Sequence, residues 1–224
     1  MKNKDCIYSE ICNLECPNTC LRYLEMRFLL NSSGIPKSKQ KINKLIASPL
    51  DYKAYETLSN IRENILDFTK HGRQLYIYSD NCGNGKTTWS IKLMLQYFNE
   101  IWAGNGFIER GLFINVPVFI TSLKNNISNK DENLSKVLGL IPKVDLVIWD
   151  DIATDYLTPY EHGMLLSYID QRNLSDKSNI FTGNVKPDML VSKVGERLSS
   201  RIKSGILIEL KGGDARNGSA PDFK

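Results

Sequence analysis

Apolar residues along this chain gather in short runs at 75–78 (LYIY), 112–116 (LFINV), 144–149 (VDLVIW), 178–184 (SNIFTGN) and 205–210 (GILIEL). Runs of this length, continuous rather than alternating with polar residues, predict strands buried on both faces. A helical rhythm fills the spaces between them. Residues 89–102 (WSIKLMLQYFNEIW) follow it, as do residues 21–30 (LRYLEMRFLL). Between 52 and 68 the apolar positions Tyr55, Leu58, Ile61, Ile65 and Phe68 form one helical stripe. Strand and helix in alternation predict an α/β fold, a parallel sheet of five strands between helices. Gly34 and Pro36 break the first helical stretch, and a soft boundary between 35 and 50 divides a small region, 1–45, from a larger one, 46–224. No internal repeat interrupts this plan.

With 224 residues, 42% of them apolar, the chain can bury one sizeable domain and a small appendage. No apolar run is long enough to span a bilayer, and MKNKDCIYSE is not a signal peptide, so the expectation is a cytoplasmic protein without membrane contact. The net charge of +4 is unevenly spread: residues 22–53 carry +5, leaving −1 elsewhere. Such a segment suits a phosphate backbone or an acidic partner, and it suits a solvated linker equally well.

The first strand runs directly into Gly83-Asn84-Gly85-Lys86-Thr87-Thr88, followed by the helical stretch. Glycines that turn backbone N–H groups inward, a lysine able to reach the β- and γ-phosphates and a hydroxyl able to ligate Mg²⁺ make a nucleotide phosphate-binding loop. The phosphates then lie at a helix N-terminus. The full pattern has glycine at position 80, where this chain has Asp80. Asp tolerates unusual backbone angles better than most residues, so the expectation is a loop with its phosphate-contacting residues intact. Cys82 reads as a tolerated small residue.

Three further features fit such a loop. The run VDLVIW ends in Asp150-Asp151, where Asp150 can orient Mg²⁺ and Asp151 can polarise an attacking water. SNIFTGN ends in Asn184, whose amide could hold that water; a polar turn residue is the competing account. Arg197 and Arg201 are four apart and share a helix face. They could reach a neighbouring subunit's site, or be ordinary surface arginines.

Cys6, Cys12, Cys16 and Cys20 offer four thiolates within fifteen residues. Four thiolates can close a structural zinc site and give so short a segment a reason to fold. An iron–sulfur cluster, disulfides and free thiols remain alternatives. The spacing lacks a C-x2-C knuckle.

Taken in order, GNGKTT, VIWDD, FTGN and GERLSSRI resemble the AAA+ ATPases. More narrowly they resemble helicase loaders of the DnaC/DnaI type, phage-encoded ones included, over about Gln74 to Arg216. The resemblance implies an AAA+ P-loop core without a C-terminal lid, preceded by a small, helical, cysteine-rich and zinc-binding N-terminal region that docks on a helicase. It makes Gly83, Asn84, Gly85, Lys86, Thr87 and Thr88 the Walker A loop and Asp150 and Asp151 the Walker B acids. Thr87 and Asp150 become the magnesium ligands. Asn184 becomes sensor 1, Arg201 the trans arginine finger of a homo-oligomer with Arg197 supporting it, and Arg216 a late arginine at the nucleotide. The implied cofactors are ATP, Mg²⁺ and Zn²⁺. The implied function is slow, partner-stimulated ATP hydrolysis that delivers a DnaB-type replicative helicase to single-stranded DNA. Two other readings share these residues: an IstB-like transposition ATPase, and a nucleotide-sensing adaptor with little hydrolysis.

Overall fold

In the computed structural model, residues 6, 12, 20–41, 48–126, 131–153 and 157–213 are described. Five strands form one parallel sheet: β1 (Gln74–Tyr78), β2 (Gly111–Asn115), β3 (Leu146–Asp150), β4 (Ser178–Gly183) and β5 (Ile206–Glu209), in the order β2-β3-β4-β1-β5. The apolar runs locate all five, and β3 and β4 are buried along their whole length. Side chains alternate between two cores. Leu75, Ile77, Leu146, Ile148, Ile180 and Ile208 point to one, and Tyr76, Val147, Trp149 and Phe181 to the other. Each fully buried Leu or Ile contributes roughly 1.5–3 kcal/mol by leaving water.

The first core is covered by α1 (Leu21–Ser32), α2 (Tyr52–Glu63), α3 (Ile65–Lys70) and α4 (Lys86–Ile101). The second is covered by α5 (Val116–Asn126), α6 (Glu132–Leu140), α7 (Pro159–Leu174) and α8 (Leu190–Lys203). This is the covered parallel sheet that alternation predicts. It departs from that plan at the stripe of residues 52–68, which forms two helices instead of one. At the break, Asn64 leaves helical angles (φ −109°, ψ 31°) and its side-chain amide bonds the Asn60 carbonyl at 3.0 Å. A short polar side chain that finds a local backbone partner competes with helix continuation.

Helix α1 belongs to the main body. Met26, Leu29 and Leu30 enter the first core, and the Phe113 N–H donates to the Ser33 carbonyl at 2.7 Å, closing off part of the β2 edge. None of the described helices is long and apolar enough to cross a membrane.

The amino ends of β3 and β4 are held by polar side chains. Arg172 of α7 is fully buried, and its Nε donates to Asn179 Oδ1 at 2.7 Å. Its Nη1 serves the Ile141 and Val144 carbonyls at 2.6 and 2.8 Å, and its Nη2 those of Asp145 and Ser178. The guanidinium has five N–H donors, and five acceptors surround it. Burial pushes its pKa down to about 9, with the Asp145 charge acting the other way.

Asp145 itself receives Lys177 Nζ at 2.8 Å, Tyr97 Oη at 2.7 Å and Arg110 Nη1 at 3.0 Å. Burial pushes its carboxyl up, but the bonds from Lys177 and Tyr97 and the charges of Lys177 and Arg110 outweigh this, so the net shift is downward. The stability it contributes is therefore complete above the unfolded value, about 3.9, and is lost as pH falls through the lower folded value. Asp145→Asn should lower the melting temperature at pH 7 by about 3–6 °C. The gap to the wild type should narrow toward pH 3 in parallel thermal scans. A gap independent of pH would contradict this role for the carboxylate.

Candidate active site at the carboxyl ends of the strands

The loop after β1 has the backbone a phosphate cradle needs. Gly83 and Gly85 adopt left-handed angles (φ 74° and 99°), and α4 begins at Lys86 directly after Gly85. Asp80 does not share those angles. The tolerance of Asp for unusual conformations is therefore not what admits it. Its side chain points outward instead, to Lys186 Nζ at 2.7 Å.

Lys86 is only 6% exposed, and its ammonium is held by the Asn81 carbonyl at 2.7 Å and Asn84 Oδ1 at 3.1 Å. Asn84 in turn donates to Ser79 Oγ and to the Leu210 carbonyl just after β5. Asp51, buried ahead of α2, accepts the backbone N–H groups of Lys211 and Gly212. A Cβ on Gly212 would lie 2.5 Å from that carboxylate, so a larger residue there would displace the Asp51 side chain. Thr88 is half-buried in the first turn of α4, and Cys82 is exposed as a free thiol.

Asp150 closes β3 with only 3% exposure. It accepts a hydrogen bond at 2.7 Å from the Thr182 hydroxyl, and the Thr87 side chain also acts on it. Burial pushes its pKa up. Thr182, Thr87 and the charge of Lys39 oppose this, while Asp151 adds to it, and the net shift is upward. Asp151 follows in a left-handed conformation (φ 58°), with Ala153 (φ 67°) behind it. Its N–H bonds the Thr182 hydroxyl at 3.0 Å. Two left-handed non-glycine residues at one strand end are strain of the kind concentrated at functional sites.

Asn184 lies just past β4, half-buried, and its Oδ1 is buried without a hydrogen-bond partner. Gly183 before it is fixed by crowding, since a Cβ there would meet the Ile152 carbonyl and Tyr76 Oη at 2.7 Å.

Lys86, Thr87, Asp150, Asp151 and Asn184 thus converge at one end of the sheet. Thr182 carries no signal of its own within its strand, yet its hydroxyl joins both acids. Lys39 acts on Asp150 from the turn after α1, which the sequence marks only as part of a basic segment.

Arg197 and Arg201 do share a face, and both reach Asp170 of α7. Arg201 Nε is 2.6 Å from Asp170 Oδ1, and Arg197 Nη2 is 3.7 Å from Oδ2. Gly195 (φ 74°) breaks α8 just ahead of them. Arg216 lies outside the described residues, as does part of the basic segment that includes Lys44.

The residues at the carboxyl ends fit a magnesium nucleotide. An ammonium is satisfied by neutral loop oxygens, a threonine hydroxyl is paired with a buried carboxylate, and an amide oxygen faces the site unpaired. The zinc expectation finds no such fit. Cys6 and Cys12 pack half-buried against the first core, as small apolar side chains do, and Cys16 lies outside the described residues. Among the described residues no three metal-ligating side chains come together.

No family profile matches the chain. In sequence it is similar to the replicative helicase loader DnaC of Escherichia coli K12, 22% identical over 151 residues, or 66% of this chain. The match spans 57% of that relative's length. Its fold is similar to a crystal structure of the DnaC helicase loader (TM-score 0.61, 20% identity), covering 83% of this chain and 99% of the other. The chain resembles the DnaC/DnaI-type AAA+ loaders. AMPPCP-bound DnaA from Aquifex aeolicus has the same core (TM-score 0.59, 20% identity), covering 74% of this chain and 48% of that one. The five-stranded sheet with its two helical layers is therefore an AAA+ P-loop fold, with the candidate site at the strand ends that follow β1, β3 and β4.

Proposed function

We propose that this chain is an ATPase that loads a DnaB-type replicative helicase onto single-stranded DNA. The observation that carries the ATPase part is the buried Asp150 at the end of β3, held by the Thr182 hydroxyl, beside Lys86, Thr87 and the unpaired Asn184 oxygen. The choice of helicase as client rests on the likeness to DnaC.

In this reading Gly83, Asn84, Gly85 and Thr88 line the phosphates through the loop and the first turn of α4. Lys86 exchanges its loop acceptors for β- and γ-phosphate oxygens. Thr87 and Asp150 hold Mg²⁺, which would neutralise charge building on the phosphates as the terminal bond breaks. Asp151 accepts a proton from the attacking water, and Asn184 orients that water through the amide oxygen that lacks a partner. Thr182 keeps both acids in register. Arg201, supported by Arg197, acts on the site of a second copy of the chain after leaving Asp170, and Arg216 approaches the nucleotide from beyond β5.

Residues 1–45 form the docking region, anchored to the ATPase domain (46–224) by α1. The basic residues from Lys37 to Lys44 are the candidate contacts to the DNA backbone. ATP favours the DNA-bound assembly only as far as it binds that state more tightly than the free one.

The test is capture of a purified replicative helicase in the presence of ATP, ADP or neither, with ATP turnover measured in parallel. ATP-dependent capture is expected, and Lys86→Ala should reduce turnover by about 100-fold. Failure to bind any replicative helicase in every nucleotide state would sink the loader reading. Turnover unaffected by Lys86→Ala would remove the site. Preference for duplex over single-stranded DNA, compared at stated salt, would favour the transposition alternative instead.

A further inference from the structure

Asp80 occupies the glycine position that opens the phosphate loop, and it raises an electrostatic problem. Its neighbour Asn81 supplies the carbonyl that holds the Lys86 ammonium at 2.7 Å. A carboxylate one residue away from that contact repels the polyanion the loop is built to hold. The chain answers with Lys186, two residues past Asn184, whose Nζ lies 2.7 Å from Asp80 Oδ2.

Lys186 is delivered there by the fold. The turn that carries it is tied down by Tyr76, a fully buried side chain on β1 whose hydroxyl donates to the Val185 carbonyl at 2.7 Å. Tyr78 stacks on Tyr76 with ring centroids 5.4 Å apart, and the charges of Asp80, Lys186, Asp188 and Glu209 all act on it. Glu209 has a cation of its own, Lys211 Nζ at 3.5 Å. Lys186 is the cation paired with Asp80 among the described residues.

Both members are half-exposed, 58% for Asp80 and 51% for Lys186. Pairs so exposed contribute little to folding. Their charge is felt instead by whatever charged ligand sits nearby, over a range set by salt.

We propose that Asp80 and Lys186 form an affinity-setting pair for the nucleotide, in which Lys186 screens the triphosphate from the acid that replaces the opening glycine. The pair rests on the ATP reading of the loop and deepens it. Lys186 also follows Asn184 closely in the chain, so the pair ties the phosphate loop to the turn that carries that amide. The two residues act on the nucleotide with opposite signs. Lysine loss leaves an unpaired negative charge on the outer side of the phosphate loop, whereas aspartate loss leaves an unpaired positive one there.

The experiment is titration of the full chain with the fluorescent nucleotide mant-ATP and Mg²⁺, in 50 mM and 500 mM KCl. The proteins are wild type, Lys186→Gln, Asp80→Asn and the double variant. Lys186→Gln should raise Kd on the order of 3- to 10-fold, and Asp80→Asn should lower it by a comparable factor. The double variant should return close to wild type. All differences should shrink at the higher salt, with melting temperatures within about 1 °C of one another. A purely structural pair predicts instead that both single variants weaken binding and lower the melting temperature. That pattern, or equal Kd values throughout, overturns the proposal while leaving ATP binding in place. A wild-type chain that does not bind mant-ATP overturns the ATP reading and the pair's role with it.

Discussion

Asp150→Asn is expected to reduce ATP turnover by about 100-fold or more while leaving the nucleotide-free protein as stable as the wild type, or more so. The two effects have one cause. Asp150 is almost wholly buried at the end of β3, and burial raises its pKa despite the hydroxyls of Thr87 and Thr182. A carboxyl with a raised folded pKa favours the folded state below its unfolded value, and that contribution disappears as pH rises through the folded value. At neutral pH the ionised form therefore costs stability, and a neutral amide of the same shape removes the cost. Each kcal/mol recovered should add about 2–4 °C to the melting temperature. The gain should fade as the pH is lowered toward the carboxyl's own titration, because the wild-type group is then neutral too. Differential scanning of both proteins across pH, beside a turnover assay, decides the matter. A variant that melts well below the wild type yet still hydrolyses ATP would show that Asp150 is a structural acid only.

The second large effect lies at the opposite end of the sheet. Arg172→Ala should destabilise the fold by about 3–5 kcal/mol, read from urea unfolding at neutral pH. Removing the guanidinium strands the Ile141, Val144 and Ser178 carbonyls and takes one of the two donors from Asn179 Oδ1, the other being the Trp149 indole. Those acceptors are buried, so no bulk water takes the place of the lost donors. Arg172→Lys should rescue little of the loss, because three ammonium donors cannot reach five acceptors arranged around a planar fork. A loss below about 1 kcal/mol for the alanine variant would mean that the cage relaxes around the missing side chain.

The contrast between these two residues explains what was legible in the sequence. The strands were legible because a parallel sheet covered on both faces demands continuous apolar runs, and all five runs form strands. The phosphate loop was legible because its glycines are required by backbone angles, and Gly83 and Gly85 adopt those angles. Asp150 was marked by its place at the end of an apolar run. Thr182, Lys186 and Arg172 gave no comparable signal. Their roles depend on which strands become neighbours: Thr182 meets the two acids only because β4 lies beside β3, and Lys186 meets Asp80 only because β4 also lies beside β1. Asp80 looks like a defect in a motif when read locally, and becomes half of an ion pair once the sheet order is known. The break at Asn64 was hidden for a different reason, since the apolar stripe continues across it while a single side-chain amide ends the helix.

The Arg172 cage has a consequence for how the molecule breathes. Its acceptors gather at the amino ends of β3 and β4, whereas the left-handed residues Asp151 and Ala153 and the unpaired Asn184 oxygen sit at the carboxyl ends. Amide exchange along these two strands is therefore expected to be slowest at the amino ends that the cage holds. The sheet is thus pinned at both ends by different means, a charged cage at its base and a single threonine hydroxyl between the two acids at its tips.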